Sequence, residues 1–227
     1  MRKLLYVPII HMEADLGSVA PDIDQRSKDM FGAQRWEKHK ETLSHFWDSI
    51  ARYCQRLQAT NLRLYQDGLL ANGELGKRIV EAGAKAGSRN YQILLRLMER
   101  GAELVSTEDV SLVKEEYEHI IKLAQSKSLL QRGLAYFQYK MHKARLTEER
   151  DVFIARRINE TLGEGQRGIL FLGAYHNVLP LVAKDIVVKQ LREQEKVKAY
   201  FDELIGGRDE RKFAELAAYL ASPVVLE

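Results

Sequence analysis

Cysteine is almost absent from the sequence: Cys54 is the only one among 227 residues, so no disulfide can form within the chain. Cys54 lies in a helical pattern of apolar residues, which predicts a small buried side chain. A lone cysteine without a Cys-x-x-Cys partner is typical of proteins from a reducing compartment. We therefore predict a cytoplasmic location.

The chain also lacks an excess of either charge. Its 35 basic and 32 acidic residues are interspersed and give a formal net charge of +3, so the pI of about 8.8 reflects a near balance. Basic and acidic residues alternate in the C-terminal helical pattern, which more often indicates a solvated face or an assembly surface than a site for a polyanion. We predict no nucleic-acid partner, and self-association through the long helices stays open.

The apolar run at residues 4–10 is too short to span a membrane, and a charged stretch follows it where a signal-peptide cleavage site would be expected. We interpret the run as a buried strand and predict no membrane association. Hydrophobic residues make up 45% of the chain and charged residues 30%, which is typical of a globular protein. Without internal repeats, this length predicts one domain over residues 1–227.

Short strand-like runs alternate along the chain with longer runs of helical spacing. Strands are predicted at residues 4–10, 62–65, 102–106 and 168–172, and helices at 32–58, 74–84, 88–101, 110–143 with a break at 126–128, and 147–162. A charged helix that begins at Pro180 and is interrupted at residues 206–207 is predicted to run to about residue 220. This order predicts an α/β fold, with a mainly parallel sheet flanked by helices and additional long helices in the middle and at the C-terminus. Residues 110–146 could form a helical insertion and residues 181–222 a helical extension.

Polar residues follow each predicted strand, and ligands of open parallel sheets bind beyond the carboxyl ends of the strands. The candidates are His11, Glu13 and Asp15 after the first strand, Asp67 after the second, Glu108 and Asp109 after the third, and His176 and Asn177 after the fourth. Imidazole nitrogens and carboxylate oxygens suit a divalent transition metal. The other histidines, which lie inside helical patterns, are interpreted as structural or surface residues: His39, His45, His119 and His142.

Ordinary structural roles stay open for three of the acids. Asp67 precedes Gly68 and could simply be a turn residue. Glu108 and Asp109 could favour the N-terminus of the following helix through its dipole.

Arg150 and Asp151 are predicted to open a helix just before the last strand. The helix dipole disfavours an arginine in a first turn, so Arg150 could instead hold an anionic group. The alternative is a solvated side chain that pairs with Glu148 or Glu149.

Two motifs together resemble a known superfamily. Gly173-Ala-Tyr-His176 is a Gly-x-x-His motif at a strand end, and Pro8-Ile-Ile-His11 occupies the equivalent place at the first strand. Arg150-Asp151-Val-Phe-Ile-Ala155, followed by Ile158, is similar to an Arg-Asp helix that precedes the last strand. The arrangement resembles the superfamily of the TraB and Tiki proteins, the erythromycin-esterase-like proteins and the ChaN-like haem-binding lipoproteins, over residues 1–15 and 147–180.

The resemblance implies an α/β fold with paired Gly-x-x-His motifs and, in some branches, metal-dependent hydrolysis. It points to four site residues: His11, Arg150, Asp151 and His176. Two positions depart from the pattern, because Pro8 stands where the family has glycine and Ile9 where several branches have glutamate.

The first functional hypothesis is a metal-dependent hydrolase that acts on a small molecule or a peptide. His11 and His176, with Glu13 or Asp15, would bind manganese, cobalt or zinc, which lowers the pKa of a bound water. Glu13 or Glu108 would act as general base, and Arg150 would hold the substrate or stabilise an oxyanion.

The second hypothesis is a protein that binds a small anion without turnover and contains no metal. Arg150, Arg26 and the histidines would form its site, and Ile9 in place of a carboxylate favours it. A scaffold or interaction protein is the third hypothesis.

Overall fold

The computed structural model describes residues 1–10, 27–115 and 129–225, with side chains for all of them except residues 129–143. The strands are β1 (Arg2–Ile9), β2 (Leu62–Gln66), β3 (Glu103–Val105), β4 (Arg167–Gly173) and β5 (Ile186–Gln190). The helices are α1 (Ala33–Gln55), α2 (Gly73–Lys85), α3 (Arg89–Glu99), α4 (Leu129–Thr161), α5 (Gln194–Gly206) and α6 (Glu210–Ala221). In these ranges, no helix combines the length and the apolar character needed to cross a membrane.

The five strands form one parallel sheet in the order β3-β2-β4-β1-β5. Strands β1 and β4 are apolar on both faces because helices cover both sides of the sheet. Alternate side chains face α1, α3, α5 and α6 on one side and α4 on the other. The predicted α/β fold with a mainly parallel sheet, flanking helices and long helices in the middle and at the C-terminus is therefore confirmed. The single domain stays a prediction.

The predicted helical extension over residues 181–222 is wrong in its first part. Pro180 lies in a short 3₁₀ turn (Leu179–Leu181), and β5 then pairs in parallel with β1 at the edge of the sheet. The strand has only five residues, and Val187 is 49% exposed on it. An edge strand of this length lacks the long apolar run of a central strand. The charged residues on both sides of it therefore make the segment look like part of a charged helix in the sequence. The predicted interruption at residues 206–207 does separate α5 from α6.

The predicted start of a helix at Thr147 is also wrong. Helix α4 runs without interruption from Leu129 to Thr161, so Thr147 does not cap a helix and Arg150 does not lie in a first turn. The sequence has no glycine or proline between residues 134 and 162, and a threonine by itself does not end a helix. Residues 129–146 thus belong to the helix that covers the sheet, and residues 110–115 are helical. The predicted break at 126–128 lies outside the described residues.

Two of the four histidines that were interpreted as structural or surface residues have described side chains. His39 is buried on α1, and its Nδ1 lies 3.0 Å from the hydroxyl of Tyr200 on α5. His45 on the same helix is exposed. Burial lowers the pKa of His39 from 6.5 to about 4. His119 and the side chain of His142 lie outside the described residues.

We predict that His39 makes the fold sensitive to acid. Because its pKa is lower in the folded than in the unfolded chain, the stability it contributes is complete above pH 6.5 and is lost as the pH falls towards 4. Relative to His39→Gln, the wild-type free energy of unfolding should fall by up to about 3 kcal/mol between pH 7 and 4 in urea titrations. His45→Gln, on the exposed face of α1, should keep the wild-type slope; equal slopes for all three proteins would contradict the prediction.

Candidate functional site

Side chains from four distant segments meet at the carboxyl edge of the sheet. Asp67 directly follows β2, Glu108 follows β3, and His176 follows β4. All the strands are parallel, so these three positions lie on the same edge. Arg150 and Asp151 reach the edge from α4, which covers one face of the sheet.

Arg150 forms the first half of the cluster with two buried carboxylates. Its Nε and Nη2 donate to the two oxygens of Glu108 at 3.0 and 2.6 Å, and Nη2 also donates to Asp67 Oδ1 at 3.1 Å. The Glu108 side chain is fully buried, and one of its oxygens also accepts a hydrogen bond from the backbone of Gly68 at 3.1 Å. Two parallel hydrogen bonds between a guanidinium and a carboxylate are the geometry in which a buried ion pair is stable.

His176 forms the second half with Asp151. The two side chains are buried, and His176 Nδ1 lies 2.5 Å from Asp151 Oδ1. The second oxygen of Asp151 accepts a hydrogen bond from the backbone of Asn177 at 2.7 Å. Asp151 therefore fixes both the imidazole ring and the turn that carries it, and it leaves Nε2 as the nitrogen that faces the edge.

Asp67 connects the two halves. Its Oδ1 accepts from Arg150, while Oδ2 accepts from the backbone of Gly173 at 3.0 Å and lies 3.8 Å from His176 Nε2. A side chain at position 173 would begin 3.1 Å from that oxygen and 3.3 Å from the His176 ring. The close approach of Asp67 and His176 thus favours glycine at this position of the Gly-x-x-His motif, because a Cβ would fit only if they moved by a few tenths of an ångström.

Several supporting residues had no signal in the sequence. Gln194, at the start of α5, is buried and donates to the carbonyl oxygens of Ala174 and His176 at 2.8 and 2.6 Å. Beneath Asp67, the hydroxyl of Thr107 donates to the backbone oxygen of Gln66. Polar residues of this kind resemble ordinary loop residues in a sequence, and only their burial distinguishes them.

The remaining predicted site residues fall into two groups. His11, Glu13, Asp15 and Arg26 lie outside the described residues, so their roles stay predictions. Asp109 lies next to Glu108 but accepts from the backbone of Ser111 at 2.8 Å, in the manner of a helix cap. Asn177 is exposed, and its described contact to the site is made by its backbone.

No protein family matches the chain, and no curated protein or solved structure matches it either. The resemblance to the TraB and erythromycin-esterase-like superfamily therefore stays a prediction. Within residues 1–10, 27–115 and 129–225, no group of three or more histidine, cysteine, aspartate or glutamate side chains is arranged to hold a metal ion.

We predict that Arg150→Ala destabilises the protein by about 3–5 kcal/mol, because it leaves the buried carboxylates of Glu108 and Asp67 without their cation. The control is Arg145→Ala on the same helix, which removes half-exposed ion pairs to Glu115 and Glu149 and should have a much smaller effect on the free energy of unfolding. Urea denaturation measures both free energies. Similar losses for the two variants would show that the Arg150 cluster does not stabilise the fold.

Proposed function

We propose that the chain is a metal-dependent hydrolase whose site is the Asp67–Asp151–His176 cluster at the carboxyl edge of the sheet. The observation that carries the proposal is the contact between Asp151 and His176 Nδ1. Histidines that bind a metal through one ring nitrogen almost always donate a hydrogen bond from the N–H of the other to a carboxylate or a carbonyl. This bond fixes the orientation and the tautomer of the ring. Here Nε2 is the remaining nitrogen, and it lies 3.8 Å from a carboxylate oxygen of Asp67.

The charge of the cluster favours a cation over an anion. The described part of the site contains three carboxylates, on Asp67, Glu108 and Asp151, against the single guanidinium of Arg150. Because Arg150 donates to two of these carboxylates, we assign it to holding them in place rather than to binding a substrate anion. The alternative of an anion-binding protein is therefore less well supported than a site for a metal ion.

The described side chains offer the types of ligand atom that manganese, cobalt or zinc bind, but too few of them to complete a metal site. An imidazole nitrogen and a carboxylate oxygen are ordinary ligands of these ions, and His176 and Asp67 would supply them. The other ligands would come from His11 and Asp15, outside the described residues. Strand β1 leads towards the site, because Ile9 is paired with Gly173 and its carbonyl accepts from the backbone of Ala174 at 3.1 Å.

A bound ion would supply a water of lowered pKa, ready to attack a carbonyl or phosphoryl group. Of the two acids predicted as general base, Glu108 has a fully buried side chain paired with Arg150, which leaves Glu13 as the better candidate. The two motifs meet in one contact, because Asp151 of the Arg-Asp motif holds His176 of the Gly-x-x-His motif. The substrate class, a small molecule or a peptide, stays open.

We predict that the full chain binds manganese, cobalt or zinc and is stabilised by it. At a hundredfold excess over Kd, one ion should raise the Tm by about 5–10 °C, and elemental analysis should find about one ion per chain. His176→Ala and Asp67→Asn should abolish both effects, while Asp151→Asn should weaken binding by about 10–100-fold. His45→Ala, which removes an exposed histidine on α1, is the matched control.

The same proteins provide a test of turnover. Hydrolysis of p-nitrophenyl acetate and p-nitrophenyl phosphate should disappear with EDTA, return with the metal, and be absent from His176→Ala. Binding of the metal without hydrolysis of either compound would count against the hydrolase and indicate a metal-binding protein without turnover. No bound ion and no change of Tm with any of the three metals would overturn the proposal.

A further inference from the structure

Tyr6 has a buried hydroxyl group without a hydrogen-bond partner in the described part of the chain. Its side chain is 1% exposed and lies in the middle of β1, on the face of the sheet that α4 covers. A buried hydroxyl without a hydrogen-bond partner destabilises the fold. A tyrosine with an unpaired hydroxyl would therefore make the protein less stable than a phenylalanine at this position. The group is therefore expected to have a partner that is not a described protein atom.

Tyr6 packs among residues of α4 and of the turn after β4 that are close in sequence to the site residues. Its ring belongs to the apolar cluster that contains Ile154 and Ala155, one helical turn after Asp151, and Val178, two residues after His176. Burial raises the pKa of Tyr6 above its ordinary value, and the negative charges of Asp67 and Asp151 raise it further. The hydroxyl is thus protonated at neutral pH, and the charged groups that act on it are the carboxylates of Asp67, Asp151 and Glu195.

The chemistry of these groups selects what can lie between them. A carboxylate accepts hydrogen bonds and cannot donate, whereas the tyrosine hydroxyl has one proton to donate. A molecule that joins them must accept from Tyr6 and donate to a carboxylate. A water molecule does both, and water is what satisfies most buried polar groups that lack a protein partner.

We propose that the Tyr6 hydroxyl binds a water molecule that bridges it to the carboxylate of Asp67 or Asp151, and that this is the water that the proposed ion would activate for hydrolysis. The binding of the water stands by itself, while its role as reactant rests on the proposed function. In that reaction the water oxygen bonds to the electrophilic atom of the substrate, and the bond to the leaving group breaks. One proton passes through a neighbouring carboxylate to the leaving group, and the other stays on the acid product.

Tyr65 is a matched control within the same sheet. Tyr65 and Tyr6 are both paired with Leu170, from its two sides, and both face α4. The Tyr65 hydroxyl has a protein partner, since it lies 2.9 Å from Thr161 Oγ1, which in turn donates to the carbonyl of Arg157. Removal of this hydroxyl therefore measures the loss of one direct hydrogen bond in the same environment.

The first experiment compares the thermal unfolding of Tyr6→Phe and Tyr65→Phe in the full chain. Tyr65→Phe should lower the Tm by about 2–4 °C, and Tyr6→Phe should lower it by a similar amount, because a bridged hydroxyl is satisfied. A Tm that is unchanged or raised in Tyr6→Phe would mean that the hydroxyl is dry, and it would overturn the proposal.

A high-resolution crystal structure locates the partner directly. We expect an ordered water about 2.8 Å from the Tyr6 oxygen, also within hydrogen-bonding distance of Asp67 or Asp151, and its loss or displacement in crystals of Tyr6→Phe. A direct bond from Tyr6 to a protein atom, or no density near its oxygen, would overturn the proposal.

Kinetics test the role of this water as reactant. If the wild-type chain hydrolyses p-nitrophenyl acetate, Tyr6→Phe should lower kcat at least about tenfold with KM unchanged, and Tyr65→Phe should keep both values. Wild-type kcat in Tyr6→Phe would exclude the role as reactant and leave the proposed hydrolase intact. A wild-type chain without activity would count against the hydrolase, while the Tm and the crystal structure would still decide whether Tyr6 binds water.

Discussion

The carboxylate of Asp67 is the contact on which the rest of the site depends. One of its oxygens accepts from Arg150, and the other accepts from the backbone of Gly173 and faces His176. It therefore connects the loop after β2, the helix α4 and the turn after β4. Without it, the Arg150–Glu108 pair and the Asp151–His176 pair would be linked only through α4, on which Arg150 and Asp151 are consecutive residues.

This arrangement ties the site to the folding of the whole sheet. The first and last residues of the site, Asp67 and His176, are more than a hundred positions apart in the sequence. The site therefore forms only when β2, β3, β4 and α4 are all folded. Their burial is unfavourable unless each charge finds its partner. The ion pairs thus favour a single register of the strands, because a shift of β2 by one residue would move Asp67 to the other face of the sheet. The orientation of each side chain in the cluster is thus fixed by its partners on other elements.

The sequence predicts the sheet well and its edge poorly. Strands β1 and β4 are recognisable because a central parallel strand is apolar on both faces, whereas β5 is half-exposed and was predicted as helix. Asp67, Glu108 and His176 could be predicted as site candidates because they follow strands. The role of Arg150 could not be predicted, because it depends on where α4 begins. A helix without glycine or proline between residues 134 and 162 gives no sequence signal for a boundary there. Gln194 and Tyr6 were not predicted, because a glutamine at a helix start and a tyrosine in an apolar run are ordinary in sequence.

The spacing of the Gly-x-x-His motif has a physical explanation here. The backbone nitrogen of His176 donates to the carbonyl of Gly173 at 3.0 Å, so the motif is one tight turn that brings the imidazole back over the strand end. Asp67 approaches that end so closely that any side chain at position 173 would contact both the carboxylate and the ring. The turn sets the number of residues between glycine and histidine, and the neighbouring side chains leave little room for a Cβ at the first position. A pattern that is common in sequences therefore becomes specific only when an acid of the adjacent strand is known to lie against it.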